Sequence, residues 1–134
     1  MKIGFLVNPI AGMGGSVALK GTDGEETLRR ALELGARPMS PERAKIAAAE
    51  FAPMAEGHVF YAPSGIMGAD ILAEFGITAE IIYCPSNNSL PEDTKKTVEK
   101  MKSVGVDLII FAGGDGTARD VCSVVGESIP VIGI

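Results

Sequence analysis

Gly113-Gly114-Asp115-Gly116-Thr117 places one carboxylate in a turn that is otherwise nearly free of side chains. The apolar run Leu108-Ile109-Ile110-Phe111-Ala112 precedes it, and a helix-like run from Ala118 to Val125 follows. A buried strand that opens into a helix through such a turn lets a phosphorylated ligand lie directly on backbone N–H groups. The helix N-terminus adds roughly half a positive charge. Gly113 and Gly114 permit positive φ and close backbone approach, and Gly116 keeps Cβ bulk off the ligand side. Thr117 can cap the helix, with Asp120 three residues on, or offer its hydroxyl to a phosphate. Asp115 is out of place in a loop made only to hold an anion, because carboxylate and phosphate repel. Its presence points to a further role, either accepting a proton from a substrate hydroxyl or holding a magnesium ion. An Asp-Gly pair alone reads as an ordinary turn. The strand before it and the helix after it favour a nucleotide phosphotransferase.

A second glycine-rich loop, Asn8-Pro9-Ile10-Ala11-Gly12-Met13-Gly14-Gly15-Ser16, also follows an apolar run, Ile3 to Val7. It lacks the Gly-Lys-Ser/Thr ending of a P-loop and does not match G-x-G-x-x-G. Read beside the first motif, it forms a second wall of a nucleotide site, with Gly12 and Gly14 exposing backbone donors. Asn8 either binds phosphate or stabilises the loop, and the sequence leaves both open. Lys20 and Arg119 stand near these loops. Their plainer readings are a solvated lysine beside the caps Thr22 and Asp23, and an exposed helix arginine. His58 has no second histidine and reads as structural or surface. Asn87-Asn88 reads as turn chemistry. Met39, Met54, Met67 and Met101 read as core filler.

The elements that must position these loops alternate. Strands are expected at Ile3–Val7, His58–Ala62, Ala79–Cys84, Asp107–Ala112 and Pro130–Ile134. Between them the 3.6-residue pattern predicts helices. One opens at the capping box Thr22–Glu25, with Leu28, Ala31, Leu32 and Leu34 on one face and Gly35 after it. One runs from Ser40-Pro41 to about Ala55, and a short one from Gly68 to Phe75. The last two run from about Pro91 to Val104, after a capping box at Ser89–Glu92, and from Thr117 to Val125. In the first of these, Val98, Met101 and Val104 form the apolar stripe, and lysines and Glu99 the wet side. Continuous apolar strands alternating with helices predict an α/β, three-layer αβα fold around a mainly parallel sheet. Right-handed crossovers bring the loops at 8–16, 63–68, 85–89 and 113–117 to one sheet edge, where ligands bind in such folds.

Composition narrows the function. The chain has 134 residues, 46% of them hydrophobic, enough for one globular domain. A net charge of −5 argues against a partner held through nucleic-acid backbone phosphates. No apolar run nears the roughly 20 residues that cross a bilayer, and Met1-Lys2 leads straight into a strand rather than a leader. Cys84 and Cys122 lack metal spacing and read as small buried hydrophobes of a reduced, cytoplasmic protein. Val131-Ile132-Gly133-Ile134 is an apolar strand at the very end of the chain, so 1–134 is expected to be the first domain of a longer protein, or a fragment of one.

Together, the Gly113–Thr117 motif after a buried strand and the Asn8-Pro9 glycine loop after the first strand resemble the ATP-NAD kinase family, including its polyphosphate-using members. The diacylglycerol and sphingosine kinases are similar, and 6-phosphofructokinase more distantly so. The resemblance covers essentially the whole chain. It implies a Rossmann-like, phosphofructokinase-like N-terminal domain that packs against a C-terminal β-rich, NAD-binding domain. It implies that Gly113, Gly114, Gly116 and Thr117 contact nucleotide phosphates. It also implies that Asp115 assists attack by the adenosine-ribose 2′-hydroxyl of NAD on the γ-phosphate, with magnesium screening charge. ATP or polyphosphate and NAD are the expected small-molecule partners. No nucleic-acid or membrane partner is expected, and a homo-oligomer is. Two other readings stay open: a lipid or other small-molecule kinase of the same superfamily, and a nucleotide-binding module without catalysis.

Overall fold

Five apolar runs become five strands: β1 (Lys2–Val7), β2 (Val59–Pro63), β3 (Ala79–Tyr83), β4 (Leu108–Ala112) and β5 (Val131–Gly133). A computed structural model describes residues 1–11, 25–85 and 91–134 of the chain. All strand pairs are parallel, in the order β3-β2-β1-β4-β5. The chain therefore builds outward from β1 through β2 to β3, then crosses back to β4 on the other side of β1. Pro63 ends β2 because it has no N–H for the ladder, and the β2–β3 register shifts between Ala62 and Pro63.

The helices are α1 (Glu25–Glu33), α2 (Ser40–Phe51), α3 (Ala69–Glu74), α4 (Pro91–Val104) and α5 (Asp115–Val125). Glycines at positive φ follow four of them: Gly35, Gly76, Gly105 and Gly126. Only glycine adopts that conformation without steric cost, so these are true stops. α2 was expected to reach Ala55. Instead it tightens into a single 3₁₀ turn, Ala52–Met54, because Pro53 has no N–H for the helical bond to Ala49.

Alternate strand residues feed two cores. Phe5, Val7, Phe60 and Ala62 pack with Ala44 and Ala48 of α2 and Ile71 and Leu72 of α3. Leu6, Tyr61, Ile109 and Phe111 pack on the opposite face with Val98 and Met101 of α4 and Val121 and Val125 of α5. Each fully buried Leu, Phe or Val contributes about 1.5–3 kcal/mol. This is the three-layer αβα arrangement the alternating pattern predicts.

Several side chains depart from expectation. Met67 and Met101 are buried, but Met39 and Met54 are exposed: one stands just before α2 and the other in the outward 3₁₀ turn. Leu32 and Leu34, expected on a buried helix face, are also exposed; the side chains of Leu28 and Ala31 lie outside the described residues. Both cysteines are exposed rather than buried. Cys122 follows the buried Val121 and so turns about 100° away from the core on α5. Cys84 has already left the edge strand β3. Among the described residues, no helix is long and apolar enough to cross a membrane.

Candidate functional site

In an open α/β sheet, the crevice for ligands lies at the C-terminal ends of the strands where the strand order reverses. Here that point falls between β1 and β4. Val7 pairs in register with Ala112, so the next residues, Asn8 and Gly113, leave the sheet side by side. These are the first residues of the two loops singled out from sequence.

Asn8 ties the loops together. Its backbone N–H donates to the Ala112 carbonyl at 2.9 Å. Its side-chain Oδ1 accepts from the Ile10 N–H at 3.2 Å. Its Nδ2 donates to Thr117 Oγ1 at 3.0 Å. With Oδ1 committed to a backbone donor, the amide orientation follows, and only the NH₂ remains for Thr117. Of the two roles open to Asn8, the geometry displays loop stabilisation. The Ala11 N–H donates to the Asn8 carbonyl at 3.2 Å, and the Ser40 N–H donates to the Ala11 carbonyl at 3.4 Å, which brings the start of α2 to the same rim. Gly12 and Gly14, the other expected donors of this loop, lie outside the described residues, as do Lys20, the Thr22 cap and Asn87-Asn88.

The glycine-aspartate turn differs in detail from its reading. Neither Gly113 nor Gly114 has positive φ; Gly114 is extended, at φ −96 and ψ −169. Gly113 is needed for space. A Cβ there would stand 2.5 Å from Thr117 Oγ1, so a bare backbone lets the threonine fold over it. Thr117 is only 3% exposed as a result. Around Gly114, by contrast, a Cβ would meet nothing within 4 Å.

α5 starts at Asp115, two residues before the expected Thr117. Gly114 is the N-cap and supplies no side-chain cap. The Ala118 N–H bonds the Gly114 carbonyl at 2.9 Å and closes the first turn. The N–H groups of Asp115, Gly116 and Thr117 therefore have no partner within the helix. Thr117 is the third helical residue and not the cap, which corrects its capping role. Gly116 is half-buried in the same turn, and Asp115 is exposed. No hydrogen bond or ion pair engages Asp115 among the described residues. Uncapped amides, a positive dipole end and a free carboxylate thus meet at the strand-order reversal.

Among the described residues, no three His, Cys, Asp or Glu side chains cluster for a metal ion. Nucleotide-borne magnesium asks less of a protein, since one or two carboxylates and the phosphates themselves hold it. The lone carboxylate of Asp115 fits that donor set.

One polar link on this rim was not foreseen. Tyr83, at the end of β3, donates its phenol to Asp93 Oδ1 at 2.6 Å. Asp93 is 3% exposed, in the first turn of α4. The hydrogen bond to Asp93 raises the phenol above its ordinary range, aided by desolvation and by the carboxylate charge. The pair seats α4 against β3 on the flank of the site. The apolar stripe of α4 was legible, but a buried aspartate ten residues from its partner was not. His58 is a surface residue near the amino terminus, 3.2 Å from the Met1 nitrogen. It borders a hollow of about 370 Å³ with Ala55, Phe60, Phe75 and Thr78, at the opposite edge of the sheet from the glycine loops.

Residues 3–134 match the model of the ATP-NAD kinase N-terminal domain. The chain belongs to the ATP-NAD kinase family. A NAD kinase from Methanosarcina acetivorans is 34% identical over 68 residues, which make up 51% of this chain and 25% of that protein. The matched part thus spans about a quarter of that relative's length. No solved structure gives a significant match.

Proposed function

We propose that this chain is the nucleotide-binding domain of an NAD kinase, which moves a phosphoryl group from ATP or polyphosphate to the 2′-hydroxyl of NAD. The observation that carries the reading is the Asn8–Thr117 hydrogen bond, which joins both glycine loops at the strand-order reversal. The donor's phosphates lie on the uncapped N–H groups of Asp115, Gly116 and Thr117, over the open surface at Gly114. Gly12 and Gly14, read from the sequence as further phosphate donors, belong to the same proposal. Asn8 and the Thr117 side chain fix the relative position of the two walls.

Asp115 accepts the proton of the ribose 2′-hydroxyl as that oxygen bonds to the terminal phosphorus and the bond to the bridging oxygen breaks. The products are NADP and the shortened donor. Magnesium entering with the donor would be held chiefly by the donor's own phosphates beside Asp115, and when bound it would screen the phosphate charges. A C-terminal β-rich domain completes the NAD site, and the enzyme works as a homo-oligomer.

The test uses the full-length gene product with NAD, magnesium and either ATP or polyphosphate, with a coupled dehydrogenase reporting NADP. NADP formation supports the proposal. Phosphate transfer to a lipid instead, or nucleotide binding without turnover on NAD, contradicts it.

A further inference from the structure

Arg119 stands four residues after Asp115 in α5, and both are exposed. Residues four apart share a helix face, and each Cα–Cβ bond tilts toward the helix N-terminus. A long side chain at 119 can therefore reach over the turn that carries Asp115. Asp and Arg at this spacing can pair, yet among the described residues no ion pair joins them. The next carboxylate on the helix, Asp120, is already taken by Lys95 at 3.3 Å. The helix dipole gives an arginine no reason to be here, because this end favours anions. The same two turns thus hold an uncapped N-terminus that attracts phosphate, a carboxylate that repels it, and an uncommitted guanidinium.

We infer that Arg119 is a phosphate-binding residue of this site, engaging non-bridging oxygens of the phosphoryl donor and offsetting the repulsion from Asp115. The inference rests on the phosphotransfer reading above. Arginine suits this role because its planar fork offers parallel N–H donors to two oxygens of one phosphate, whereas a lysine is a point charge. Arg119 makes the donor side selective for charge density along a phosphate chain and leaves the choice of acceptor to other residues.

The test is calorimetric titration of inorganic tripolyphosphate and of ATP into the full-length protein, as wild type, Arg119→Ala and Arg119→Lys, at two salt concentrations. Thermal melting and NADP formation are followed in parallel. Arg119→Ala should bind tripolyphosphate about tenfold more weakly, with a shallower salt dependence and an unchanged melting temperature. Arg119→Lys should recover part of the loss. Equal tripolyphosphate affinity in wild type and Arg119→Ala overturns the role of Arg119, whatever the acceptor is. A protein that makes no NADP but loses tripolyphosphate affinity in Arg119→Ala upholds Arg119 and overturns the NAD reading. A wild-type protein that binds neither tripolyphosphate nor ATP overturns both.

Discussion

Asn8 and Thr117 are 109 residues apart in the chain and 3.0 Å apart in space, joined amide to hydroxyl. The link exists because β1 and β4 are neighbours in register, and it holds the two loops together. Its coupling is measurable. Asn8→Ala should cost about 1 kcal/mol of stability, and Thr117→Val a similar amount. In the double variant the losses should fall short of additive by about 0.5–1.5 kcal/mol. Chemical denaturation of the four proteins gives the answer; strict additivity would mean that the bond does not couple the loops.

Gly113 and Gly114 should part company on substitution. Gly113→Ala forces a Cβ against Thr117 and should destabilise the domain by about 1–3 kcal/mol. Gly114→Ala meets open space at a φ any residue adopts, so its melting temperature should stay close to wild type. Its tripolyphosphate affinity should nevertheless fall about tenfold or more, because the new methyl occupies the surface on which the proposed function lays the phosphate. A Gly114→Ala protein that binds normally would remove the phosphate from that surface.

Asp115→Asn should leave the fold intact, since Asp115 is exposed and unpartnered among the described residues. Turnover of the full-length enzyme should drop by roughly 10²–10⁴-fold through loss of the proton acceptor. Retained turnover would take Asp115 out of the reaction.

Tyr83→Phe removes the phenol that donates to the buried Asp93 carboxylate. The variant should melt several degrees lower than wild type at neutral pH. The folded-state phenol is raised above its ordinary value, so its stabilising contribution is complete below pH 10.0 and lost as pH climbs through the raised value. Melting curves from neutral to strongly alkaline pH should therefore converge for the two proteins at the alkaline end. A constant gap across that range would mean that the bond is not the source of the difference.

The parallel sheet was legible because most of its strands are continuous apolar runs that alternate with helical patterns. The end of α1 was legible for the same kind of reason: Gly35, in a conformation other residues avoid. The Gly113–Thr117 turn was legible as a bare link between a buried strand and a helix, but not the reason for Gly113, which is the volume of Thr117 rather than a backbone angle. Nor could the sequence reveal that Asn8 would spend its amide on that threonine, because the contact depends on strand order and not on spacing. Cys122, Met39 and Met54 were misjudged for a related cause. Residue type states a preference for burial, whereas the face of the element decides it.

Whether phosphate is gripped where the loops after β1 and β4 meet is tested most directly by amide NMR of this chain titrated with inorganic tripolyphosphate. The largest shifts should fall at Gly114, Asp115, Gly116 and Thr117, with Asn8 to Ala11 responding in step. Shifts confined to the opposite edge, around His58 and Thr78, would contradict a phosphate site at the strand-order reversal.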